Sequence, residues 1–378
     1  MMKIPMVDLT REYEELKNEI NPAIQNVLNK CNFILGDDVS KFEEEFSKFN
    51  GSKYAISVAS GTDALRIAIL ASGITKDDEV ITTPFTFIAT TETISQAGAK
   101  VVFADIEEDT YNIDPKSIES KITNKTKAII PVHLYGHPAD MKKIMDIAKK
   151  YNLIVIEDCA QAFTAKYKIN EEWKFVGSIG NFGTFSFFPA KNLGAYGDGG
   201  LITTDDEKKA NIIKTLRNHG SSQRYVYEME GFNSRLDTIQ AAILRIKLKY
   251  IEKYTKMRQE VAKKYNQALE GICITSKPKE EVQHSFNYYT VRFESKEIRD
   301  TVAKYLTENG IANQIYYPIS LHLQKAYQHL GYKKGDLPVS EKIQDTVLSL
   351  PMFPHLRDDE ISYIADKIKE AIKTKVSK

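Results

Sequence analysis

Short runs rich in Val, Ile, Phe and Thr alternate with helix-like segments between residues 54 and 204 of this chain. The runs are almost continuously apolar, and helix-like segments such as 64–71 and 140–151 separate several of them. Strands of this kind are typical of a mainly parallel sheet that helices cover on both faces. The sequence therefore predicts an α/β fold around a seven-stranded sheet. The predicted strands are 54–60, 79–87, 100–106, 127–135, 153–159, 182–188 and 199–204.

Two amphipathic helices are predicted ahead of this sheet. The first covers residues 9–29 and is interrupted near Pro22, because proline removes a backbone donor and clashes with the preceding turn. The second covers residues 38–49, where apolar residues recur at intervals of three, four and three positions.

A long helix is predicted at residues 234–270, because this segment has no Gly or Pro and its apolar residues recur every three or four positions. We expect the helix to leave a large domain, residues 1–250, and to enter a smaller C-terminal domain, residues 251–378. The elements predicted for the smaller domain are a strand at 286–293, a helix at 296–308, a strand at 311–317 and a helix from about 358.

The charge balance argues against a dedicated nucleic-acid-binding protein. The chain has 52 Lys and Arg against 51 Asp and Glu, a formal net charge of +1. Cys31, Cys159 and Cys273 are far apart and fit reduced thiols better than a disulfide framework. The chain reaches Asp8 before any signal-type apolar stretch, and no apolar run approaches the roughly 20 residues of a membrane helix. We therefore expect a cytoplasmic protein with neither a membrane nor a nucleic-acid partner.

Four polar clusters lie at predicted strand ends or helix starts, where ligands gather in sheets of this type. The cluster 60–63, Ser-Gly-Thr-Asp, stands at the start of a helix, where free backbone N–H groups could bind a phosphate. Considered by itself, this cluster is better explained as an ordinary helix cap. Asp158 ends a buried strand and needs a cation or several hydrogen bonds, or serves as a helix cap. Lys191 follows an aromatic strand and precedes a glycine-rich stretch. In this position the lysine is either partly desolvated, which would lower its pKa, or an ordinary solvated surface charge. The cluster 233–237 opens the long helix, where a simple cap is an equal alternative.

A single ligand would satisfy these clusters: a phosphorylated heterocyclic aldehyde bound to Lys191. Its phosphate would lie at the glycine-containing helix start, and its protonated ring nitrogen would face Asp158. Phe85 and Phe87 are available as an apolar wall for the ring. No metal site is predicted, because the seven histidines include no HExxH pattern.

Through these clusters and the segments around them, the sequence resembles the DegT/DnrJ/EryC1/StrS family of pyridoxal-phosphate-dependent nucleotide-sugar aminotransferases, which have the type I fold. The similarity covers essentially the whole chain, and its motifs occur in the family's order. The matching segments are Ile34–Gly36, Ser60–Leu65, Pro84–Thr90, Pro131–Met141, Glu157–Gln161, Ser186–Gly194, Gly197–Gly200, Asn233–Asp237 and Leu348–Pro351.

The resemblance implies a role for each matching residue. Lys191 would form the Schiff base with pyridoxal 5′-phosphate and move protons, while Asp158 would keep the pyridine nitrogen protonated. Gln161 would hydrogen-bond the ring oxygen, and Phe87 would stack on the ring. The implied phosphate contacts are Gly61, Thr62, Ser186 and, from the neighbouring subunit of a homodimer, Asn233. The implied contacts near the nucleotide-sugar are Arg235 of that neighbouring subunit, Tyr316 and Tyr317.

Departures from the family pattern affect mainly the substrate side. The family often has His where this chain has Tyr316, and Phe163-Thr164 replaces a usual His-Gly pair. Residues 169–175, which hold Trp173, are interpreted as a surface variation. Among the histidines, His322 is the best candidate for a sugar contact, because it lies five residues after Tyr317.

The implied reaction is a ping-pong transfer of the amino group of L-glutamate to the ketone of a nucleotide-linked deoxysugar. The preferred acceptor is a dTDP-3-keto-6-deoxyhexose, with amination at C4 or a UDP-sugar as alternatives. The family's dehydratases have His at the position of Lys191, so dehydration is disfavoured. A non-enzymatic regulatory protein would be expected to lose Lys191 or Asp158. A dinucleotide-dependent oxidoreductase would need a GxGxxG turn, and the glycines of 177–183 have the wrong spacing.

Overall fold

The computed structural model describes residues 2–376, which fold around a seven-stranded sheet. The strands, in chain order, are β1 (Tyr54–Val58), β2 (Glu79–Thr82), β3 (Lys100–Phe103), β4 (Thr126–Ile130), β5 (Ile154–Asp158), β6 (Lys166–Ile169), β7 (Glu172–Phe175), β8 (Phe182–Ser186), β9 (Gly200–Thr204), β10 (Ser221–Gln223), β11 (Val226–Tyr227), β12 (Val282–Gln283), β13 (Tyr289–Arg292) and β14 (Val347–Leu350). The α-helices are α1 (Leu9–Lys30), α2 (Asp37–Asn50), α3 (Gly61–Ala71), α4 (Ala89–Gln96), α5 (Pro115–Ser120), α6 (Met141–Tyr151), α7 (Glu207–Arg217), α8 (Thr238–Ala268), α9 (Lys296–Glu308), α10 (Pro338–Thr346) and α11 (Asp358–Val376). Among the helices described, none is both long enough and apolar enough to cross a membrane.

The central sheet has the strand order β1-β9-β8-β5-β4-β2-β3. Strand β9 runs antiparallel to its neighbours β1 and β8, and the other strands of the sheet are parallel to one another. Each of the seven predicted strands is present, which confirms the predicted α/β class with a mainly parallel sheet.

Alternate residues of the sheet enter two different hydrophobic cores. On β9, Ile202 packs in the core that includes α3 and α7, whereas Leu201 packs in the core that includes α2 and α8. Helices therefore cover both faces of this part of the sheet, as its nearly continuous apolar strands predict. Because helices cover the faces of the sheet, the polar side chains at the carboxyl ends of its parallel strands are available to form a ligand-binding site.

The two N-terminal helices pack against the long helix α8. Helix α1 runs through Pro22 without a break, so the predicted interruption there is wrong. Leu16, Ile20 and Val27 are buried along one face of α1, and this packing outweighs the backbone hydrogen bond that proline removes. Helix α2 buries Val39, Phe42 and Phe46 at the predicted spacing.

Helix α8 packs against different parts of the molecule with its two halves. Leu244 and Leu248 belong to the core shared with α2, whereas Val261 and Tyr265 belong to a core shared with β13, β14, α9 and α11. The domain boundary that we predict near residue 250 falls between these two groups. The helices predicted at 296–308 and from about 358 are α9 and α11.

The strand predicted at 311–317 is not a regular strand. Two isolated bridges are formed in this segment, by Ile311 with Ile4 and by Gln314 with Ser349. Gln314 and the four residues that follow it, through Pro318, line a cavity. Residues 169–175 form parts of the β6–β7 hairpin, on which Trp173 is exposed.

Phe46 is the residue of α2 whose truncation should damage the fold most. Its fully buried ring stacks on Phe163 at 4.9 Å between centroids and meets Phe185 edge-on at 5.0 Å. We expect Phe46→Ala to lower the free energy of unfolding by about 3–5 kcal/mol, because it leaves a cavity in a packed aromatic core. Urea unfolding of the ligand-free protein measures this loss.

The matched control is Trp173→Ala, which removes an aromatic ring that is 41% exposed on β7. This change should lower the free energy of unfolding by less than about 1 kcal/mol. A loss below about 1 kcal/mol for Phe46→Ala would show that the ring does not hold α2 to the sheet.

Candidate active site

A cavity of about 540 Å³ opens at the carboxyl ends of β1, β5 and β8, between the sheet and the segment Gln314–Pro318. The structure places most of the predicted site residues in its wall. These are Gly61, Thr62, Phe87, Asp158, Gln161, Ser186, Lys191, Tyr316 and Tyr317. The wall thus combines residues from distant parts of the sequence, as a site at strand ends requires.

Lys191 lies in the turn after β8, where its backbone N–H donates to the carbonyl oxygen of Phe188 at 2.8 Å. The side chain lines the cavity and is half-buried, so its ammonium group is only partly hydrated. This desolvation lowers the pKa of Lys191 to about 8, and the negative charge of Asp158 opposes the shift. Roughly a tenth of the lysine is therefore a neutral, nucleophilic amine near neutral pH, far more than for an ordinary lysine.

Asp158 is the last residue of β5 and is almost fully buried. Its Oδ2 accepts a hydrogen bond from the hydroxyl of Thr90 at 2.8 Å, and its Oδ1 accepts one from the N–H of Ala160 at 3.1 Å. Burial raises the pKa of Asp158, while these hydrogen bonds and the charge of Lys191 act in the opposite direction. A protonated ring nitrogen in the cavity would supply the cationic partner that a buried carboxylate favours.

A buried network fixes the end of β5 from behind. Glu157 accepts hydrogen bonds from the backbone N–H groups of Gly177, Ile179 and Gly180 at 2.6–2.8 Å. His133 accepts the N–H of Ala139 at Nδ1, so its Nε2 carries the proton and donates to Glu157 at 3.0 Å. Cys159 brings a third potential metal ligand close to these two side chains. Because Glu157 and His133 already use their ligand atoms for hydrogen bonds, the cluster supports the strand rather than a metal.

The start of α3 provides a place for an anion. The side chain of Ser60 caps the helix by accepting the N–H of Asp63 at 3.1 Å. A Cβ atom on Gly61 would lie 2.6 Å from the Cβ of Ser186, so glycine allows the helix start and the end of β8 to approach closely. Thr62 and Ser186 also line the cavity here. Helix N–H groups together with hydroxyls suit a phosphate.

The aromatic wall differs in part from the predicted one. Phe87 is 56% exposed and lies beside the ring of Tyr317, so it is available to a planar ligand. Phe85 is fully buried against Tyr317 and does not face the cavity. The structure therefore corrects the prediction that both phenylalanines form the wall. Strand β2 ends at Thr82, and in the irregular segment that follows, Phe85 packs into a hydrophobic core with Val132 and Leu134.

Three predicted residues lie outside the cavity wall of the single chain. Asn233 is exposed and pairs with Asn218 by a β-bridge, and Arg235 donates to the Asn218 side chain at 3.1 Å. Both were expected to act from a neighbouring subunit, so their roles remain predictions. His322 is enclosed, with its Nε2 3.1 Å from Glu341 and its ring beside Phe103. Because this ring is buried away from the cavity, the structure corrects its predicted contact with the sugar.

The sequence did not indicate two residues that belong to this site. Thr90 is at the start of α4, one turn after Thr86, and hydrogen-bonds Asp158. Tyr288 comes from the C-terminal part of the chain, and the Nζ of Lys191 lies 5.8 Å from the centre of its ring. The Thr86–Thr90 spacing was the available signal for the first, whereas only three-dimensional packing reveals the second.

Pyridoxal phosphate fits this arrangement, because the three features that it needs converge on one cavity. Lys191 would hold its aldehyde carbon, Asp158 its ring nitrogen, and the start of α3 with Ser186 its phosphate. When bound, the cofactor supplies an electron-withdrawing ring that stabilises negative charge on an attached carbon.

We expect Lys191 to react with acetic anhydride in the ligand-free protein with a pH midpoint near 8, because desolvation lowers its pKa to about that value. Below this pH the protonated amine is not nucleophilic, so labelling should rise as the pH increases through 8. Asp158→Asn should move the midpoint below 8, since the carboxylate opposes the downward shift. Mass spectrometry of the labelled peptides measures both midpoints.

Asp198 lines the same cavity and provides the matched control. Asp198→Asn should leave the labelling midpoint of Lys191 within about 0.3 pH units, because its charge is not among the causes of the shift. A Lys191 midpoint near the ordinary lysine value of 10.5 in the unaltered protein would contradict the desolvated site.

Comparison with known proteins bears on the family and the fold of the chain. The model of the DegT/DnrJ/EryC1/StrS aminotransferase family matches residues 14–369. A protein of Geobacillus stearothermophilus named a pleiotropic regulatory protein is 47% identical, with 98% of each chain covered. A UDP-N-acetyl-3-dehydro-α-D-glucosamine 3-aminotransferase of Acidithiobacillus ferrooxidans is 44% identical, with 98% of each chain covered. A dTDP-3-amino-3,6-dideoxy-α-D-galactopyranose transaminase of Aneurinibacillus thermoaerophilus is 43% identical, with 97% of this chain and 98% of that protein covered.

The fold agrees with that of a solved structure. S. venezuelae DesV in complex with a ketimine intermediate has a TM-score of 0.94 at 38% identity, with 98% of each chain covered. Sequence, fold and site chemistry therefore lead to the same conclusion. The chain belongs to the DegT/DnrJ/EryC1/StrS aminotransferase family and is a pyridoxal-phosphate-dependent aminotransferase.

Proposed function

We propose that this protein transfers the amino group of L-glutamate to the ketone at C3 of a nucleotide-linked sugar, with a dTDP-3-keto-6-deoxyhexose as the preferred acceptor. The observation that carries the proposal is the pairing of a poorly hydrated Lys191 with Asp158 in one cavity. The amine of glutamate and the ketone of the sugar exchange places, giving 2-oxoglutarate and an amino sugar. No external oxidant or reductant is needed.

The residues of the chain have distinct tasks in this reaction. Lys191, with its lowered pKa, takes a proton from the α-carbon of glutamate and later returns one to the sugar carbon. Asp158 would hold the proton on the ring nitrogen, and Gln161 would donate to the ring oxygen. Phe87 would cover one face of the ring and limit the access of water.

The names of the relatives support amination at C3. One acts on a UDP-linked 3-dehydro sugar, and another is named for a dTDP-linked 3-amino sugar. The shared position is C3, whereas the nucleotide and the substituents differ. We therefore treat the UDP-linked 3-keto sugar as the main alternative acceptor, and amination at C4 as a second.

We further propose that a homodimer is the active unit. Asn233 and Arg235 lie outside the cavity of their own chain, and we place them at the phosphate and the nucleotide-sugar of a second copy. The exposed Tyr225 and Tyr227 on the neighbouring β10–β11 hairpin are suited to such a contact. We place the enzyme in the cytoplasm, since its three cysteines are free thiols.

A regulatory role remains a second candidate, because the relative at 47% identity is named a regulatory protein. Against a purely regulatory role, Lys191 and Asp158 are both present and both line the cavity. A binding protein without chemistry has no need for an amine whose pKa is lowered.

The reverse reaction tests the proposal with stable substrates. The protein loaded with pyridoxal phosphate is incubated with 2-oxoglutarate and a dTDP-linked 3-amino-3,6-dideoxyhexose, and glutamate is measured. We expect glutamate to form, and Lys191→Ala to lower the rate at least about 10³-fold, because the proton-transfer group is lost.

Two matched substrates separate the alternatives. The 4-amino isomer should give a rate at least about tenfold lower, and the UDP-linked 3-amino sugar tests the choice of nucleotide. A higher rate with the UDP-linked compound would replace the dTDP assignment and keep C3 transamination. If none of the amino sugars yields glutamate, the proposed function is wrong.

A further inference from the structure

The amide of Gln161 is held in one orientation by a backbone donor. The N–H of Tyr135 lies 2.8 Å from Gln161 Oε1, and because a backbone N–H can only donate, the amide oxygen must face it. The NH2 group then donates to the hydroxyl of Tyr317 at 3.0 Å. Gln161 is 5% exposed, so water cannot readily replace these partners.

Tyr135 presents its N–H from an unusual backbone conformation. Its φ of 61° and ψ of 0° are left-handed, which is uncommon for a residue other than glycine. The next residue, Gly136, has φ 102°, and a Cβ there would lie 2.6 Å from the Ser285 hydroxyl. The turn is fixed further by the N–H of Leu134, which donates to the Asn112 side chain at 2.9 Å. Left-handed backbone of this kind is commonly kept where function requires it.

The side chain of the same tyrosine reaches the opposite wall of the cavity. The buried hydroxyl of Tyr135 donates to the backbone carbonyl of Tyr316 and also contacts the hydroxyl of Thr290. Tyr288 packs its ring on Tyr316 at 4.4 Å between centroids, which keeps this wall in place. Tyr135 therefore holds the cofactor-facing glutamine through its backbone and the segment Gln314–Pro318 through its side chain.

These contacts form a closed circuit. Gln161 is bonded to Tyr135, Tyr135 is bonded to Tyr316, and the neighbouring Tyr317 is bonded back to Gln161. A change in the position of Gln314–Pro318 must therefore move the hydroxyl that orients Gln161.

We propose that Tyr135 is a positioning residue that fixes where the substrate-binding wall of the cavity lies relative to the cofactor-binding wall. The inference rests on the proposed aminotransferase function. It assigns the hydroxyl of Tyr317 to Gln161 rather than to the sugar. The tyrosine itself does not touch the reacting atoms; it acts through Gln161 and Tyr316.

Tyr135→Phe tests the substrate side, because it keeps the backbone N–H and the ring but removes the hydroxyl that holds Tyr316. In the loaded enzyme we expect the KM for the amino-sugar nucleotide accepted by the wild type to rise roughly 3- to 10-fold. The KM for 2-oxoglutarate and kcat should stay within about twofold, because the variant keeps the backbone N–H of residue 135 and the hydroxyl of Tyr317, the two direct partners of the Gln161 amide.

Tyr317→Phe tests the cofactor side, because it removes the acceptor that orients the Gln161 amide. A loosened amide donates less to the ring oxygen, which competes for the proton that the bound cofactor holds. We expect the pH midpoint of the visible absorption of the bound cofactor to rise by at least about 0.3 units. It should rise less in Tyr135→Phe, which keeps both hydrogen bonds of the Gln161 amide and only loosens the segment that carries Tyr317. This spectrum needs no substrate, so it remains informative even if no amino sugar is accepted.

Tyr111→Phe is the matched control, because it removes a buried tyrosine hydroxyl whose ring meets Tyr135 edge-on at 6.0 Å. Its KM values and its spectral midpoint should match those of the wild type. A Tyr135→Phe enzyme with an unchanged sugar KM, or with equal rises in both KM values, would overturn the proposal. If Tyr135→Phe does not fold, the midpoint of Tyr317→Phe decides alone, and an unchanged value overturns the proposal. A wild type that accepts no amino sugar would instead show that the proposed function fails.

Discussion

The site depends on one electrostatic arrangement: a poorly hydrated ammonium group and a buried carboxylate that face the same cavity. Burial lowers the pKa of Lys191 and raises that of Asp158, and each charge partly offsets the cost of burying the other. The chemistry needs both groups in this state. A fully solvated lysine would be a weak nucleophile, and a neutral carboxyl group at Asp158 would not retain a proton on the ring nitrogen. The strands and helices around the cavity hold these two groups in place.

The parallel sheet makes this arrangement possible. Asp158 ends β5, Lys191 follows the neighbouring β8, and the start of α3 follows β1, so three chemical functions meet at one edge. Behind them, Glu157 ties the end of β5 to the chain that leads into β8 through three backbone N–H groups. The position of Asp158 is therefore fixed by the backbone of several elements rather than by its side chain alone.

The C-terminal part of the chain supplies the opposite wall. The segment Gln314–Pro318 and Tyr288 close the cavity on the side away from the strand ends. Tyr316 and Tyr317 are bonded to Tyr135 and Gln161, which follow β4 and β5, so the two walls are not independent. We infer that cofactor chemistry is carried mainly by the wall at the strand ends, whereas the choice of sugar is made mainly where the two walls meet.

The sequence predicted the sheet and the cofactor side of the site because their signals are local. Continuous apolar runs mark the strands, and Gly61, Asp158 and Lys191 each follow such a run directly. The substrate side was less predictable, because tertiary packing, which no local sequence pattern reveals, places Tyr135 and Tyr288 near the cavity. His322 failed as a prediction because closeness to Tyr317 in sequence does not place its ring in the cavity. Pro22 failed because tertiary packing overrides a local preference.

The most direct measurement is the absorption spectrum of the purified protein with pyridoxal phosphate, recorded before and after the addition of L-glutamate. The structure predicts a visible band of lysine-bound cofactor that is lost when glutamate is added. Lys191→Ala should lack this band from the start, because it has no amine to bind the cofactor. A wild-type protein that never develops the band, or whose band does not respond to glutamate, would contradict the assignment of this cavity as an aminotransferase site.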